Sequence, residues 1–125
     1  MKTIVDTSVW IEYFKEATDI VPIVDEGLLA GTVFMVGPVL TELLQGVKTN
    51  KELEKLEGCI DAVPFIECRY TDWHLAGVLS FKLRKEGVTI PLTDLIIAAL
   101  SINNGASVYT FDHHFNLIPG VSLRG

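Results

Sequence analysis

Residues 1–10 read Met1-Lys2-Thr3-Ile4-Val5-Asp6-Thr7-Ser8-Val9-Trp10. Within these ten positions the chain changes from one periodicity to another. Thr3 to Val5 is β-rich, and Asp6 ends the run. Thr7 or Ser8 is suited to cap a helix, which runs to about Lys15 with Val9, Trp10, Tyr13 and Phe14 on one face. A short strand, an acid at its carboxyl end and a helix behind it make up the opening half of a βαβ unit.

The same alternation continues along the chain. A helix spans roughly Asp19 to Ala30, and Thr32-Val33-Phe34-Met35-Val36 forms the second strand. Gly37-Pro38 opens a third helix, and Asn50 caps a fourth. Val63 to Glu67 forms the third strand, and Thr71 starts a long helix that stops at Gly87. Asp94 to Asn103 is a helix that is apolar almost all round, so it packs deeply. Ser107 to Phe111 is the fourth strand, and Val121 to Leu123 is a short edge strand. Strands alternating with helices define an α/β fold with a parallel sheet.

With 125 residues, the chain has room for one domain, residues 1–125. Hydrophobic residues make up 49% and charged residues 21%, which excludes intrinsic disorder. The net charge of −6 argues against a grip on nucleic acid through a basic face alone. Cys59 and Cys68 stand nine apart without a CxxC, so free buried thiols are expected rather than a zinc site. No signal-type apolar run forms before Asp6. The longest uncharged stretch, Leu95 to Phe111, is broken by Asn103, Asn104 and Gly105 and is too short for a membrane span. A soluble, cytoplasmic protein is expected.

In open parallel sheets, ligands bind beyond the carboxyl ends of the strands. Asp6 and Asp112 follow strands directly, Glu42 lies early in the helix after the second strand, and Asp94 opens the most apolar helix. Each acid has an ordinary structural use. Asp6 and Asp94 suit helix caps, Asp112 suits a turn, and Glu42 suits a solvated face, about 130° from the centre of the Val39-Leu40-Leu43-Leu44-Val47 stripe. Gathered at one edge of one sheet, however, the four would repel each other unless a cation sat among them. Carboxylates without a neighbouring His or Cys suit a hard ion, Mg²⁺ or Mn²⁺. Four acids account for −4 of the −6, so much of the negative balance belongs to the site itself.

Four segments carry a resemblance that covers essentially the whole chain. They are Ile4-Val5-Asp6-Thr7-Ser8, Pro38-Val39-Leu40-Thr41-Glu42-Leu43, Thr93-Asp94-Leu95-Ile96-Ile97-Ala98-Ala99 and Val108-Tyr109-Thr110-Phe111-Asp112-His113-His114-Phe115. In this order and spacing, the sequence resembles a PIN-domain ribonuclease of the VapC toxin type. The resemblance implies a three-layer α/β/α sandwich with a parallel sheet of four or five strands. It implies a Mg²⁺- or Mn²⁺-dependent endoribonuclease, a cognate antitoxin and a homodimer. By that resemblance Asp6, Glu42, Asp94 and Asp112 match the acidic quartet. Asp6 and Asp94 would be the principal metal ligands, Asp112 a more variable one that acts through water, and Glu42 a ligand of a second ion or a guide for the attacking water. Ser8 and Thr110 match small hydroxyl positions that would bond the acids or the scissile phosphate. The chain departs from the pattern near its last motif, where Phe111, His113 and His114 surround Asp112 in place of a basic residue.

Other residues admit more than one use. Trp10, Tyr13 and Phe14 form an aromatic stripe that suits either the core or a groove for a partner helix. His113 and His114 read as solvated turn residues, with a proton-shuttling role as the alternative. His74, beside Trp73, reads as structural. Lys48, Lys51, Lys55, Arg69, Lys82, Arg84 and Lys85 are candidate phosphate contacts, although cations at a helix end are also good capping chemistry. Two competing functions remain. One is a non-catalytic PIN-fold module that binds RNA or protein. The other is a phosphotransfer or receiver domain, which the sequence disfavours because Ser8 stands where a second acid is needed.

Overall fold

Thr3, Ile4 and Val5, all buried, form β1 (Thr3–Val5) at the centre of a parallel sheet. The computed structural model describes residues 1–124. Around β1 stand β2 (Val33–Val36), β3 (Phe65–Ile66), β4 (Ser107–Tyr109) and β5 (Ser122–Leu123), in the order β3-β2-β1-β4-β5. Thr3 pairs with Val33 on one side and with Ser107 on the other, and every strand pair is parallel. The sheet has five strands, the larger of the two expected numbers.

Six helices connect the strands: α1 (Thr7–Phe14), α2 (Val21–Ala30), α3 (Gly37–Gln45), α4 (Asn50–Ile60), α5 (Tyr70–Lys85) and α6 (Leu92–Asn104). A short 3₁₀ helix, His113–Leu117, follows β4. The chain steps from β1 outward to β2 and β3, then returns to β4 on the other side of β1. Right-handed crossovers running in opposite directions put their helices on opposite faces, which gives three layers. The reversal lies between β1 and β4, the topological switch point where such sheets bind ligands.

The core explains the extreme apolarity of α6. Leu95, Ile96, Ile97, Ala98, Ala99 and Leu100 are all buried, and the helix packs on β1 and β4 as well as on α5. Gly105 ends it with φ +61°, a conformation that L side chains rarely adopt. Gly27 has a different reason. A Cβ there would come within 2.5 Å of Val33 Cγ2, so α2 lies against β2 only because that side chain is missing. A buried carboxylate ties α5 to α6. Asp72, fully buried, accepts from the Arg69 backbone N–H at 2.8 Å and from Asn103 Nδ2 at 2.8 Å.

Several local expectations are corrected. Thr49, not Asn50, caps α4, accepting from the Glu52 N–H at 3.1 Å. Neither Thr7 nor Ser8 caps α1; Asp6 holds that position, with no side-chain capping bond. Helix α6 starts at Leu92 behind Pro91, so Asp94 is its third residue and not its cap. Helix α2 starts at Val21, with Pro22 in its first turn, and leaves Asp19 outside. Strand β3 keeps only two residues, and β4 ends at Tyr109, which releases Thr110 and Phe111 into the loop beyond the sheet. Cys59 and Cys68 are free but only half-buried. No helix among the described residues is long and apolar enough to cross a membrane.

Candidate active site

Asp6 leaves the carboxyl end of β1 and is almost fully buried, 6% exposed. Its backbone N–H still pairs across the sheet to the Tyr109 carbonyl at 2.9 Å. Burial of a carboxylate demands hydrogen bonds. Two hydroxyls supply them, both to Oδ2: Thr110 Oγ1 donates at 2.7 Å and Ser8 Oγ at 3.1 Å. Among the described residues, Oδ1 accepts no hydrogen bond from protein and remains available.

The same two hydroxyls organise the loop after β4. Ser8 Oγ accepts from the Phe111 N–H at 3.1 Å, and Thr110 Oγ1 accepts from the Asp112 N–H at 2.9 Å. Asp112 caps the 3₁₀ helix, with Oδ1 accepting from the His114 N–H at 2.9 Å. Phe115, buried at the centre of this turn, fixes it to the core. Asp94 reaches the cluster from the first turn of α6, where the partial positive end of the helix favours an anion.

Asp94, Asp112 and His114 each offer a ligand atom, and these atoms lie within 4.8 Å of one another. His114 Nδ1 is 3.1 Å from Asp94 Oδ2 and 3.1 Å from Asp112 Oδ1. The Asp94 side chain is 13% exposed. Burial pushes its carboxyl above the ordinary range; the His114 hydrogen bond opposes this, and the charges of Asp112 and Asp6 raise it further. Carboxylates crowded at low exposure are a site of negative potential, and a divalent cation relieves the repulsion. The donor set fits such an ion: oxygens from Asp6, Asp94 and Asp112, with one imidazole beside them.

Glu42 stands apart from this cluster. It is exposed on α3, and its Oε1 accepts from Thr7 Oγ1 at 3.0 Å, next in sequence to Asp6. With Thr7 it lines an open groove of about 500 Å³ between α1, α3 and α4, walled by Ile11, Phe14, Leu43 and Leu56. The aromatic stripe of α1 divides accordingly. Trp10 is fully buried and stacks on Phe14 at 5.7 Å, while Phe14 is 38% exposed and faces the groove.

Sequence reasoning kept His114 only as a solvated turn residue, with proton shuttling as the alternative. The expectation of carboxylates with no neighbouring histidine, and of both histidines as solvated turn residues, is corrected: His113 is exposed, but His114 turns into the acids. The signal was Asp112 two residues earlier, an acid able to cap the turn and so orient the residues after it. Also missed was the clamp of Asp72 and Asn103 that holds α6, and with it Asp94, against α5.

A parallel α/β sheet that gathers Asp94, Asp112 and His114 within 4.8 Å, with Asp6 beside them, carries a donor set able to hold a cation beyond its central strands. The chain belongs to the PIN domain family, whose profile matches residues 3–121. The resemblance carried by the four segments is thus borne out. Relatives include the VapC ribonuclease Mb1587 of Mycobacterium bovis and ribonuclease VapC11 of Mycobacterium tuberculosis. Each is 28% identical over 124 residues, covering 95% of this chain and 92% of the relative. The fold is similar to that in VapBC2 from Rickettsia felis bound to a promoter DNA fragment, with TM-score 0.88, 22% identity, and 99% and 98% of the two chains covered. DNA-bound VapBC from Salmonella typhimurium is similar to the same degree, with TM-score 0.88, 22% identity, and 99% and 97% covered.

Proposed function

We propose that this chain, as one PIN domain over residues 1–125, is a metal-dependent endoribonuclease that hydrolyses RNA phosphodiester bonds and acts as the toxin of a toxin–antitoxin pair in the cytoplasm. The observation that carries this reading is the meeting of Asp94, Asp112 and His114 within 4.8 Å at the β1/β4 switch point, with Asp6 joined to the same loop through Thr110 and near enough for its charge to act on Asp94. The names of the mycobacterial relatives support the activity, and the VapBC complexes support an antitoxin partner.

Asp6, Asp94 and Asp112 would hold Mg²⁺ or Mn²⁺. When bound, the ion supplies a lowered pKa to water and a counter-charge to the phosphodiester. Ser8 and Thr110 keep Asp6 Oδ2 occupied, which leaves Oδ1 as the oxygen that would bind the ion. Glu42, at the groove side, would orient the attacking water or hold a second ion. Attack in line at phosphorus would leave a 5′-phosphate and a 3′-hydroxyl. Ser8 and Thr110, at the rim of the acids, would also meet the scissile phosphate.

The groove of Ile11, Phe14, Leu43 and Leu56 would take an apolar segment of the antitoxin, and an antitoxin arginine would replace the metal charge among the acids. A homodimer would form through the exposed aromatic face of α5, where Tyr70, Trp73 and Phe81 are 77%, 54% and 55% exposed. Lys82, Arg84 and Lys85 at the end of that helix would then flank a shared RNA groove.

The test is cleavage of a mixed RNA pool with Mg²⁺, Mn²⁺ or EDTA, beside Asp94→Asn. Cleavage that requires metal and disappears in the variant is expected. Cleavage that persists in excess EDTA, or in Asp94→Asn, would overturn the proposal.

A further inference from the structure

The two adjacent histidines after Asp112 have opposite fates. His113 is exposed to solvent. His114 is held through its backbone, its neighbour and its ring, with Asp112 Oδ1 meeting both the backbone N–H and the ring. Its backbone N–H bonds Asp112 Oδ1 at 2.9 Å, the next residue, Phe115, is 1% exposed and anchors the turn, and its ring nitrogen Nδ1 stands 3.1 Å from an oxygen of each of two carboxylates. A ring drawn to the acids only by surface attraction would lack such backbone constraint.

The spacing also has chemical meaning. Two ligand atoms bound to one octahedral ion at about 2.1 Å, at right angles, lie about 3.0 Å apart. The Nδ1-to-oxygen separations of 3.1 Å match that edge for Asp94 and for Asp112. Without a cation Nδ1 bonds Asp94 Oδ2; with a cation present and the proton on Nε2, the Nδ1 lone pair would face the ion held between the two carboxylates.

We propose that His114 is a nitrogen ligand of the cation at this site, and that it biases the chain toward Mn²⁺ over Mg²⁺. The inference rests on the metal-site reading above and deepens it. Mg²⁺ favours oxygen ligands and gives up its waters reluctantly, whereas imidazole suits first-row transition ions. Among the described residues, His114 is the one nitrogen donor in the cluster with Asp94 and Asp112.

The experiment measures Mn²⁺ and Mg²⁺ affinity by calorimetry on the full chain, wild type beside His114→Asn, His114→Gln, His113→Asn and Asp94→Asn. It also records the pulsed electron paramagnetic resonance of bound Mn²⁺, with isotopic labelling of histidine nitrogen to assign any coupling. Thermal midpoints of the metal-free variants establish that each is folded. The wild type is expected to show histidine-nitrogen coupling to Mn²⁺. Both His114 variants should lose the coupling and bind Mn²⁺ about tenfold more weakly, with Mg²⁺ affinity little changed. His113→Asn should behave as wild type.

Wild-type Mn²⁺ without nitrogen coupling, or an unchanged Mn²⁺-to-Mg²⁺ ratio in folded His114 variants, overturns the proposal. If Asp94→Asn nevertheless abolishes binding, the carboxylate site stands without its imidazole. If Asp94→Asn leaves both affinities intact, the metal-site reading fails, and the role of His114 fails with it.

Discussion

Thr110 donates its hydroxyl to Asp6 Oδ2 at 2.7 Å, joining two residues 104 positions apart in sequence. Thr110 Oγ1 also accepts from the Asp112 N–H at 2.9 Å, so one hydroxyl spans two of the acids. Thr110→Val keeps the shape of the side chain and removes both bonds. The expected cost is about 2 kcal/mol, because Asp6 is buried and keeps only the longer Ser8 bond. Chemical denaturation of the metal-free protein measures this, and stability equal to wild type would contradict the hydroxyl's bridging role. Thr110→Ser should recover most of the loss.

Asp94 makes the opposite prediction, a gain in stability on loss of a charge. Burial lifts its carboxyl above the ordinary value of 3.8. The folded state therefore binds the proton more tightly than the unfolded chain, and stability falls as pH rises from that value through the raised folded value. At neutral pH the ionised group is a net burden to the metal-free fold. Asp94→Asn should thus raise the thermal midpoint at pH about 7, with the gain vanishing below about pH 4. Saturating Mn²⁺ should reverse the order, since only the wild type keeps the full ligand set. Matched melting curves across pH decide it.

Tyr13 offers a pH prediction remote from the acids. Its hydroxyl donates to Asp25 Oδ1 at 2.6 Å. That hydrogen bond, together with burial and the Asp25 charge, pushes the phenol up from 10.0 to about 12. The stabilisation is complete below the unfolded value and is lost as pH rises through the folded one. Ultraviolet titration should show one tyrosine ionising near 12, and Asp25→Asn should return it toward 10.0. A titration curve unchanged by Asp25→Asn would dissociate the pair.

The aromatic face of α5 predicts an effect on assembly that leaves the fold intact. Trp73 and Phe81 are more than half exposed, so Trp73→Glu and Phe81→Glu should barely alter the thermal midpoint of a separated chain. Sedimentation should give a dimer for wild type and a monomer for the double variant. A wild-type monomer at micromolar concentration would remove this face from the proposed dimer.

The fold was legible because its signals are local. The β-rich triplet that ends at Asp6, the further β-rich runs between helices, and the solid apolar run of α6 specify a parallel sheet with a buried helix without reference to distant residues. Element ends were less legible. Asn50 and Thr49 are both good caps, and only the backbone decides that Thr49 bonds Glu52. Pro91 moved the start of α6 back two residues from Asp94, since proline fits just before a first turn and the sequence reading gave that weight to the acid.

The site was legible as acids and illegible as geometry. Asp6, Asp94 and Asp112 are suggested by following strands or standing at a helix start; Asp94 and Asp112 lie together with His114, and Asp6 lies near enough for its charge to act on Asp94. Glu42 is exposed on α3 and bonds Thr7, the neighbour of Asp6, at the edge of the groove. His114 was hidden because a turn of two histidines gives no periodicity from which to tell the inward ring from the outward one. That choice is made by the Asp112 cap and the buried Phe115.

The pairing of β1 with β4 has a consequence for the life of the chain during its synthesis. Asp6 is made 104 positions before Thr110, which with Asp112 completes its surroundings. Translation proceeds from the amino end at about 5–20 residues per second. Throughout that interval the growing polypeptide carries an unpartnered acid and no assembled centre. A chain interrupted before position 110 lacks both the Thr110 bond to Asp6 and the Asp112 carboxylate. The centre is therefore assembled only after β4 and the turn behind it have been made.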